Sequence, residues 1–176
     1  MCRVFHSAVI CIIALLLSAC GREPAYSEFC VLSSDGWADT TALHFQSDTL
    51  APGTYTVNLS VRCRVAQSYP YKKLALLLQY IADTCNADTI SALTPKHPTA
   101  TAPHTALRPL RTKTVTLPLA VGSRELLGKG LALRDTWHTA DTLHLADTTC
   151  LTINIRHQMH STSLAGIEAI GVFLEK

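Results

Sequence analysis

Charged residues are scarce in this chain. Asp, Glu, Lys and Arg make up 16% of 176 residues, aromatic residues make up 6%, and 15 basic residues nearly cancel 13 acidic ones. A chain so close to neutrality lacks the basic surface of nucleic-acid-binding proteins, so we expect no nucleic-acid partner. The length, in contrast, is ample for one domain with a sizeable core.

Common catalytic and metal-binding motifs are absent as well. The sequence has no His-Glu-x-x-His, no Gly-x-Ser-x-Gly, no phosphate-binding loop and no Gly-x-Gly-x-x-Gly pattern. Its cysteines are not spaced as Cys-x-x-Cys or Cys-x-x-His, as thiol-based zinc sites require. These motifs therefore assign no catalytic residue, no metal and no cofactor.

The N-terminus carries the clearest targeting signal. Arg3 precedes an uninterrupted apolar run at 8–17, which has the length of a signal-peptide core and falls short of the ~20 residues that span a bilayer. The run ends in Leu-Ser-Ala-Cys (17–20), with small residues before a cysteine. This resembles the lipobox of bacterial lipoproteins, which implies cleavage after Ala19 and acylation of Cys20. An ordinary secretory signal with a chance cysteine is the alternative.

This motif divides the chain into a signal peptide at 1–19, a lipidated tether at 20–25 and a domain at 26–176. Two or more acyl chains hold a protein stably on a membrane, so the membrane is the first predicted partner, through Cys20. Gly21 stands where an aspartate would imply retention in the inner membrane. By the same resemblance to lipoproteins, we expect the outer membrane, with either face possible.

Four cysteines remain in the predicted domain, namely Cys30, Cys63, Cys85 and Cys150. An exported domain can hold disulfides, and four cysteines allow three pairings. Buried free thiols are an equally good interpretation, and the sequence leaves the choice open.

Period-two alternation dominates the domain. From Thr54 to Val65, apolar and polar residues alternate after a Pro-Gly turn, which predicts a strand with one buried face. The apolar run Leu74–Ile81 reads as a central strand, with a short buried helix as the alternative from periodicity alone. Further strands are predicted at 26–32, 41–45, 114–119, 131–134, 142–145, 151–159 and 169–174.

Many short alternating strands are typical of two packed antiparallel sheets or of one closed sheet. We adopt an all-β fold, a single antiparallel, jelly-roll-like β-sandwich. Its predicted core contains Val57, Leu59, Val61, Leu76, Leu117, Ile153, Ile155 and Val172. Residues 86–111 are rich in Pro, Thr and Ala, and we interpret them as a flexible insertion between two strands.

The histidines give only weak functional signals. His157 and His160 would share the face of a helix, but the alternation predicts a strand, on which they point to opposite sides. We therefore interpret His157 as a hydrogen-bonded core residue. His138 and His144 are predicted to be separated by a turn. A histidine-dependent hydrolase remains a minor hypothesis.

Two other features invite a binding interpretation. Gly128-Lys129-Gly130 is too short for a phosphate cradle, and we interpret its glycines as a turn or bulge. Trp37 and Trp137 are predicted to lie beside turns. Tryptophans in such a fold usually pack into it, although exposed ones can grip sugar rings.

Several blocks, in order, resemble the gliding-motility lipoprotein H (GldH) family of the Bacteroidetes. They are AYSEFCVLSSDGW (25–37), YTVNLSVR (55–62), YPYKKLALLL (69–78), ELLGKGL (125–131) and, as the most specific blocks, INIRHQMH (153–160) and LAGIEAIGVFLE (164–175). The resemblance covers most of the chain after Cys20, except the insertion. The sequence departs from the family at His160 and Lys73, where arginine and asparagine are common.

The resemblance implies a non-enzymatic envelope lipoprotein that serves as an interaction or assembly component of the gliding machinery or its associated secretion system. Its expected partners are other envelope proteins of that apparatus. The alternative hypothesis is a surface glycan-binding module that uses Trp37, Trp137 and neighbouring tyrosines.

Overall fold

A computed structural model describes residues 23–65, 69–83, 110–121 and 125–176. Within these ranges the chain forms strands and contains no helix, so it presents none that could cross a membrane. The strands are β1 (Tyr26–Val31), β2 (Trp37–Ala38), β3 (Leu43–Leu50), β4 (Gly53–Arg64), β5 (Lys73–Asp83), β6 (Arg111–Pro118), β7 (Ala120–Val121), β8 (Glu125–Leu126), β9 (Leu133–Leu145), β10 (Thr149–His157), β11 (Ser163–Leu164) and β12 (Ile167–Glu175).

The long strands form two four-stranded antiparallel sheets. Sheet 1 has the order β1-β12-β4-β9, and sheet 2 has the order β3-β10-β5-β6. Two small pairs, β2 with β11 and β7 with β8, flank them. The prediction of an all-β, antiparallel fold is confirmed.

The internal strands are those with the strongest sequence signals. In β4, Tyr55, Val57, Leu59, Val61 and Cys63 are buried, while Asn58 and Arg62 on the other face are only half-buried. In β5, which lies between β10 and β6, the predicted central strand is confirmed and the helix alternative is wrong. A strand paired on both sides satisfies all its backbone groups within the sheet, so it tolerates a long apolar sequence.

Inward-facing residues of both sheets belong to one hydrophobic cluster. Its sheet 1 members include Leu59, Val61 and Val172, and its sheet 2 members include Leu76 and Ile153. Every residue of the predicted core is buried, namely Val57, Leu59, Val61, Leu76, Leu117, Ile153, Ile155 and Val172.

The largest error in the predicted strands concerns β9. The segments 131–134 and 142–145 are not separate strands, because one strand of 13 residues runs from Leu133 to Leu145. The register against β4 shifts between Val57 and Asn58, and Ala140 and Asp141 are both buried. The residue that a bulge inserts exchanges the inward-facing and outward-facing positions of the strand that follows it. No single period-two pattern therefore spans β9. His138 and His144 consequently lie on one strand with no turn between them.

The exposed edges of the two sheets meet at a cluster of charges, here called the edge clasp. Asp141 of β9 is 4% exposed, and its carboxylate accepts a hydrogen bond from Lys113 Nζ of β6 at 2.7 Å. Arg111 Nη1 lies 3.4 Å from the same carboxylate oxygen. Burial, and then the Asp141 charge, raise the pKa of the Tyr80 phenol nearby. The clasp links the last strand of each sheet.

Candidate functional site

The predicted lipidation site, Cys20, lies outside the described residues, as does the signal peptide at 1–19. Of the predicted tether, residues 23–25 are described, and the Ala25 amide donates to the Leu174 carbonyl at 2.7 Å. Most of the predicted insertion at 86–111 also falls outside the described ranges, and β6 begins at its last residue.

Trp37 and His157 are core residues. Trp37 is 1% exposed and donates its indole N–H to the Thr41 carbonyl at 2.9 Å. His157 packs edge-on against this ring, with centroids 5.2 Å apart, and its Nε2 lies 3.0 Å from the Trp37 carbonyl oxygen. The prediction for His157 is therefore confirmed, and Trp37 is too deeply buried to contact a sugar.

The remaining histidines do not assemble into a site. Among the described residues, no three His, Cys, Asp or Glu side chains lie close enough together to hold a metal ion. Gly128 and Gly130 both have positive φ, at 96° and 127°, and Lys129 pairs with Asp135 of β9 through backbone hydrogen bonds. The interpretation of Gly128 and Gly130 as turn residues is confirmed, since only glycine adopts such conformations without strain.

The cysteines divide into two classes. Cys30 and Cys63 are free thiols, whereas Cys150 is disulfide-bonded. Burial raises the pKa of Cys63 to about 12, so this thiol stays protonated and unreactive at neutral pH. Cys63 therefore does not supply a nucleophilic thiolate.

Trp137 differs sharply from Trp37. It does not lie beside a turn, as predicted, but within β9, and it is 58% exposed on the outer face of sheet 1. Its ring contacts Phe173 with centroids 4.4 Å apart, and Phe173 meets Phe29 edge-on at 5.3 Å. We call these three side chains, Phe29, Trp137 and Phe173, the aromatic platform.

Small residues between the aromatic ones explain how the platform forms. Phe29, Gly171, Ser60 and Trp137 pair in one row across the four strands. A Cβ at Gly171 would lie 2.6 Å from the Phe29 ring, so the glycine is what lets this ring lie over the sheet. Ser60 is fully buried on this outer face, and its hydroxyl makes no hydrogen bond with any described residue.

Charged residues beside the platform are paired with one another. Arg62 donates two hydrogen bonds to Asp135, from Nε at 2.7 Å and from Nη2 at 2.9 Å, and its guanidinium lies 5.5 Å from the centroid of the Phe29 ring. Arg64 pairs with Glu168 through one hydrogen bond from its Nε. These carboxylates neutralise the two arginines, so the aromatic platform lies beside paired charges.

A cavity of about 530 Å³ adjoins the platform at the free edge of β9. It lies between the turn at Leu127–Lys129 and the segment Asp135–His138, so Trp137 borders both the cavity and the platform. His138 also borders this cavity. Its Nε2 is buried without a hydrogen-bond partner among the described residues, and burial lowers the pKa of the imidazole. The arrangement offers an aromatic surface with an adjacent recess and no catalytic pair.

The platform was not foreseen because its members lie far apart in the chain. Phe29, Trp137 and Phe173 come together only through the order β1-β12-β4-β9. The available signal was an aromatic residue in each of two predicted strands, Phe29 at 26–32 and Phe173 at 169–174, whereas Trp137 fell outside every predicted strand. Matches to known proteins add nothing here, since neither the protein-family models nor the curated proteins compared include one that matches this chain.

Proposed function

We propose that this chain is a non-enzymatic, lipid-anchored component of the cell envelope that binds another envelope protein through the aromatic platform. The proposal extends the resemblance to the gliding-motility lipoprotein H family, in which such a component serves the gliding or associated secretion machinery. The anchor is Cys20, and the expected location is the outer membrane.

The architecture that suits this role is a single jelly-roll-like β-sandwich. One hydrophobic cluster draws on the inner faces of both sheets, and the edge clasp ties β6 to β9. In a sandwich of this kind both outer faces are available to partners, because the inner faces supply the core. A rigid domain on a short tether is a suitable scaffold for assembly at a membrane.

The observation that carries the proposal is the exposure of the platform. Trp137 is 58% exposed and Phe29 is 42% exposed, and Val31 and Leu133 are exposed elsewhere on the same face. Contiguous apolar patches of this type mark interaction sites in soluble domains, and Trp and Arg are enriched among the residues that dominate binding energy. The recess beside Trp137 gives a partner side chain a place to insert.

The test is co-purification of the tagged full-length chain from envelope extracts after mild crosslinking. We expect one partner to be captured by the wild type and lost with Trp137→Ala and with Phe29→Ala. Leu131→Ala is the matched control, because Leu131 is 97% exposed and lies outside the platform. Unchanged capture by a Phe29→Ala, Trp137→Ala double variant of normal stability would refute the role of the platform.

The anchor is tested separately. Replacing Cys20 with Ser removes the acceptor thiol, so the chain should no longer be acylated and should leave the membrane fraction. Retention of Cys20→Ser on membranes through a carbonate wash would contradict lipid anchoring.

Glycan binding is the second candidate, and the exposed ring of Trp137 favours it because aromatic faces stack on sugars. The part of that hypothesis that used Trp37 is wrong. A glycan array probed with the full chain would distinguish the candidates, since the second requires a glycan signal that disappears with Trp137→Ala.

A further inference from the structure

The outer face of sheet 2 holds a different kind of site, here called the polar groove. It has a volume of about 350 Å³ and is lined by Ala42, His44, Leu77, Gln79, Thr112, Asn154 and Arg156. All four strands of the sheet contribute, so the groove crosses the strands. Three inter-strand spacings correspond to roughly 14 Å, which suits an elongated ligand rather than a single small ion.

The lining combines hydrogen-bonding side chains with a small aliphatic floor. Asn154 Oδ1 and His44 Nδ1 are 2.7 Å apart, and this contact holds both side chains in place across β3 and β10. When the Asn154 amide oxygen accepts this hydrogen bond from His44 Nδ1, the Nε2 atom of His44 and the amide N–H groups of Asn154 remain available to other partners. Gln79 and Thr112 make no side-chain hydrogen bond with any described residue, which leaves further donors and acceptors for a ligand.

Arg156 supplies the one permanent charge of the groove. No acidic side chain lines the groove, and within the described ranges Arg156 takes part in no ion pair. Arg62 and Arg64 of sheet 1 and Arg111 of the edge clasp are each matched by a carboxylate, and Arg134 of sheet 1 donates to the Leu126 carbonyl. A guanidinium left unmatched in a groove is suited to bind an oxyanion through two parallel hydrogen bonds.

We propose that the polar groove binds an anionic oligosaccharide, with Arg156 contacting a carboxylate or sulfate group and Asn154, Gln79, Thr112 and His44 contacting the sugar hydroxyls. Sugar hydroxyls both donate and accept, which matches a lining of amides, a hydroxyl and an imidazole. Leu77 and Ala42 provide an aliphatic surface for the sugar ring. This inference is independent of the aromatic platform and of the lipid anchor.

An extended peptide is a poorer match to the same groove. Peptides that lie on sheets gain affinity by pairing with a free edge, and the groove crosses β10 and β5, which are paired on both sides. The lining also contains no aromatic side chain to anchor a peptide residue. The observations therefore favour a ligand that binds through hydroxyl and anionic groups.

The test is a titration of the purified full-length chain, in detergent, with four hexameric probes. They are a galacturonate hexamer, the same hexamer as its methyl ester, a hexasaccharide of neutral sugars that carries sulfate groups, and hexaglutamate. We expect binding of the galacturonate or the sulfated probe, which separates the two oxyanion sources. We expect at least a tenfold weaker affinity for the neutral ester.

Two variants connect binding to the groove. Arg156→Gln should weaken binding of the anionic sugar about tenfold or more, because it removes a charge-assisted contact. Asn154→Ala should also weaken it, through the lost amide and the released His44. Lys72→Gln removes one exposed positive charge that does not line the groove and should change the affinity less than twofold.

The proposal is overturned if neither anionic sugar binds, if the methyl ester binds as well as the acid, or if hexaglutamate binds as tightly as the sugars. It is equally overturned if Arg156→Gln leaves the affinity unchanged. Failure of any of these would not affect the platform, whose test uses other residues and another readout. Thermal melting of each variant confirms that it is folded.

Discussion

The outer faces of the two sheets are built on the same backbone plan and carry opposite chemistry. Sheet 1 presents three contacting aromatic rings, and Arg62 and Arg64 beside them are matched by Asp135 and Glu168. Sheet 2 presents amides, hydroxyls and the unmatched Arg156. The inner faces of both sheets are mainly apolar, with a few buried polar residues such as Thr136 and His157. Folding therefore depends on the inward-facing residues of each strand, which leaves the outward-facing residues available for recognition.

The sharpest way to test this separation is to place the same charge on each side of one strand. Val61→Asp puts a carboxylate among core residues of β4, where Val61 is fully buried. An isolated buried charge has no compensation, so we expect a loss of more than about 4 kcal/mol and an unfolded domain. Asn58→Asp, on the outer face of β4, should cost under about 1 kcal/mol. Chemical denaturation followed by circular dichroism measures both.

The edge clasp should give the next largest effect, because it is shared by both sheets. Asp141→Ala leaves Lys113 and Arg111 without their carboxylate, and we expect a loss of about 2 kcal/mol, below the usual value for a buried pair because both cations are partly solvated. Asp135→Ala is the control, since its pair with Arg62 is about one-third exposed on each side and should contribute less than about 1 kcal/mol. If Asp141→Ala and Asp135→Ala lose equal stability in urea unfolding, the edge clasp contributes no more than a partly exposed ion pair.

The inner faces could be predicted from the sequence, whereas the outer faces could not. Alternation in β4 and β10 identifies which residues are buried, since a strand with one apolar face has only one way to orient. The platform and the polar groove depend on which strands are neighbours. Gly171 lies beside Phe29 because β12 pairs with β1, and Gln79 lies near Asn154 because β5 pairs with β10. A single sequence contains no direct signal of that order.

The bulge in β9 is the second reason that prediction was incomplete. Trp137 and His138 precede the bulge and Leu143 follows it. The alternation of inward-facing and outward-facing positions is reversed between them. An extra residue at 140–141 joins two alternating segments that, taken separately, resemble two strands. The exposed Trp137 was consequently expected beside a turn, whereas it lies within β9 and forms part of the platform.

Truncations on the two outer faces should differ more modestly. Trp137→Ala removes a ring that packs on Phe173, so we expect a loss of about 1 kcal/mol. Arg156→Ala removes an exposed side chain with no ion-pair partner among the described residues, and the change should lie within about 0.5 kcal/mol of zero. Differential scanning calorimetry of the two variants beside the wild type measures this. A larger loss for Arg156→Ala would show that the groove is structural.

The smallest effect should come from the residue next to Trp137 on the opposite side of β9. Burial lowers the pKa of His138 below its ordinary value of 6.5, so the folded chain takes up this proton less readily than the unfolded chain. The unfolded state then binds more protons as the pH falls below about 6.5, and linkage requires that folding stability decrease over that range. Above that pH both states are neutral at this position, and the histidine makes no pH-dependent contribution.

A variant comparison isolates this contribution from every other titrating group. The stability of the wild type minus that of His138→Gln should be constant between pH 7.5 and 8.5 and should decrease as the pH is lowered from 6.5 to 5. His160→Gln, at an exposed position, is measured in parallel as the control for a change of histidine content. A difference that increases on acidification would mean that the folded state favours the charged imidazolium. Lys129 and Asp135 border the same cavity as His138, so that result would assign the dominant influence to Asp135 rather than to burial.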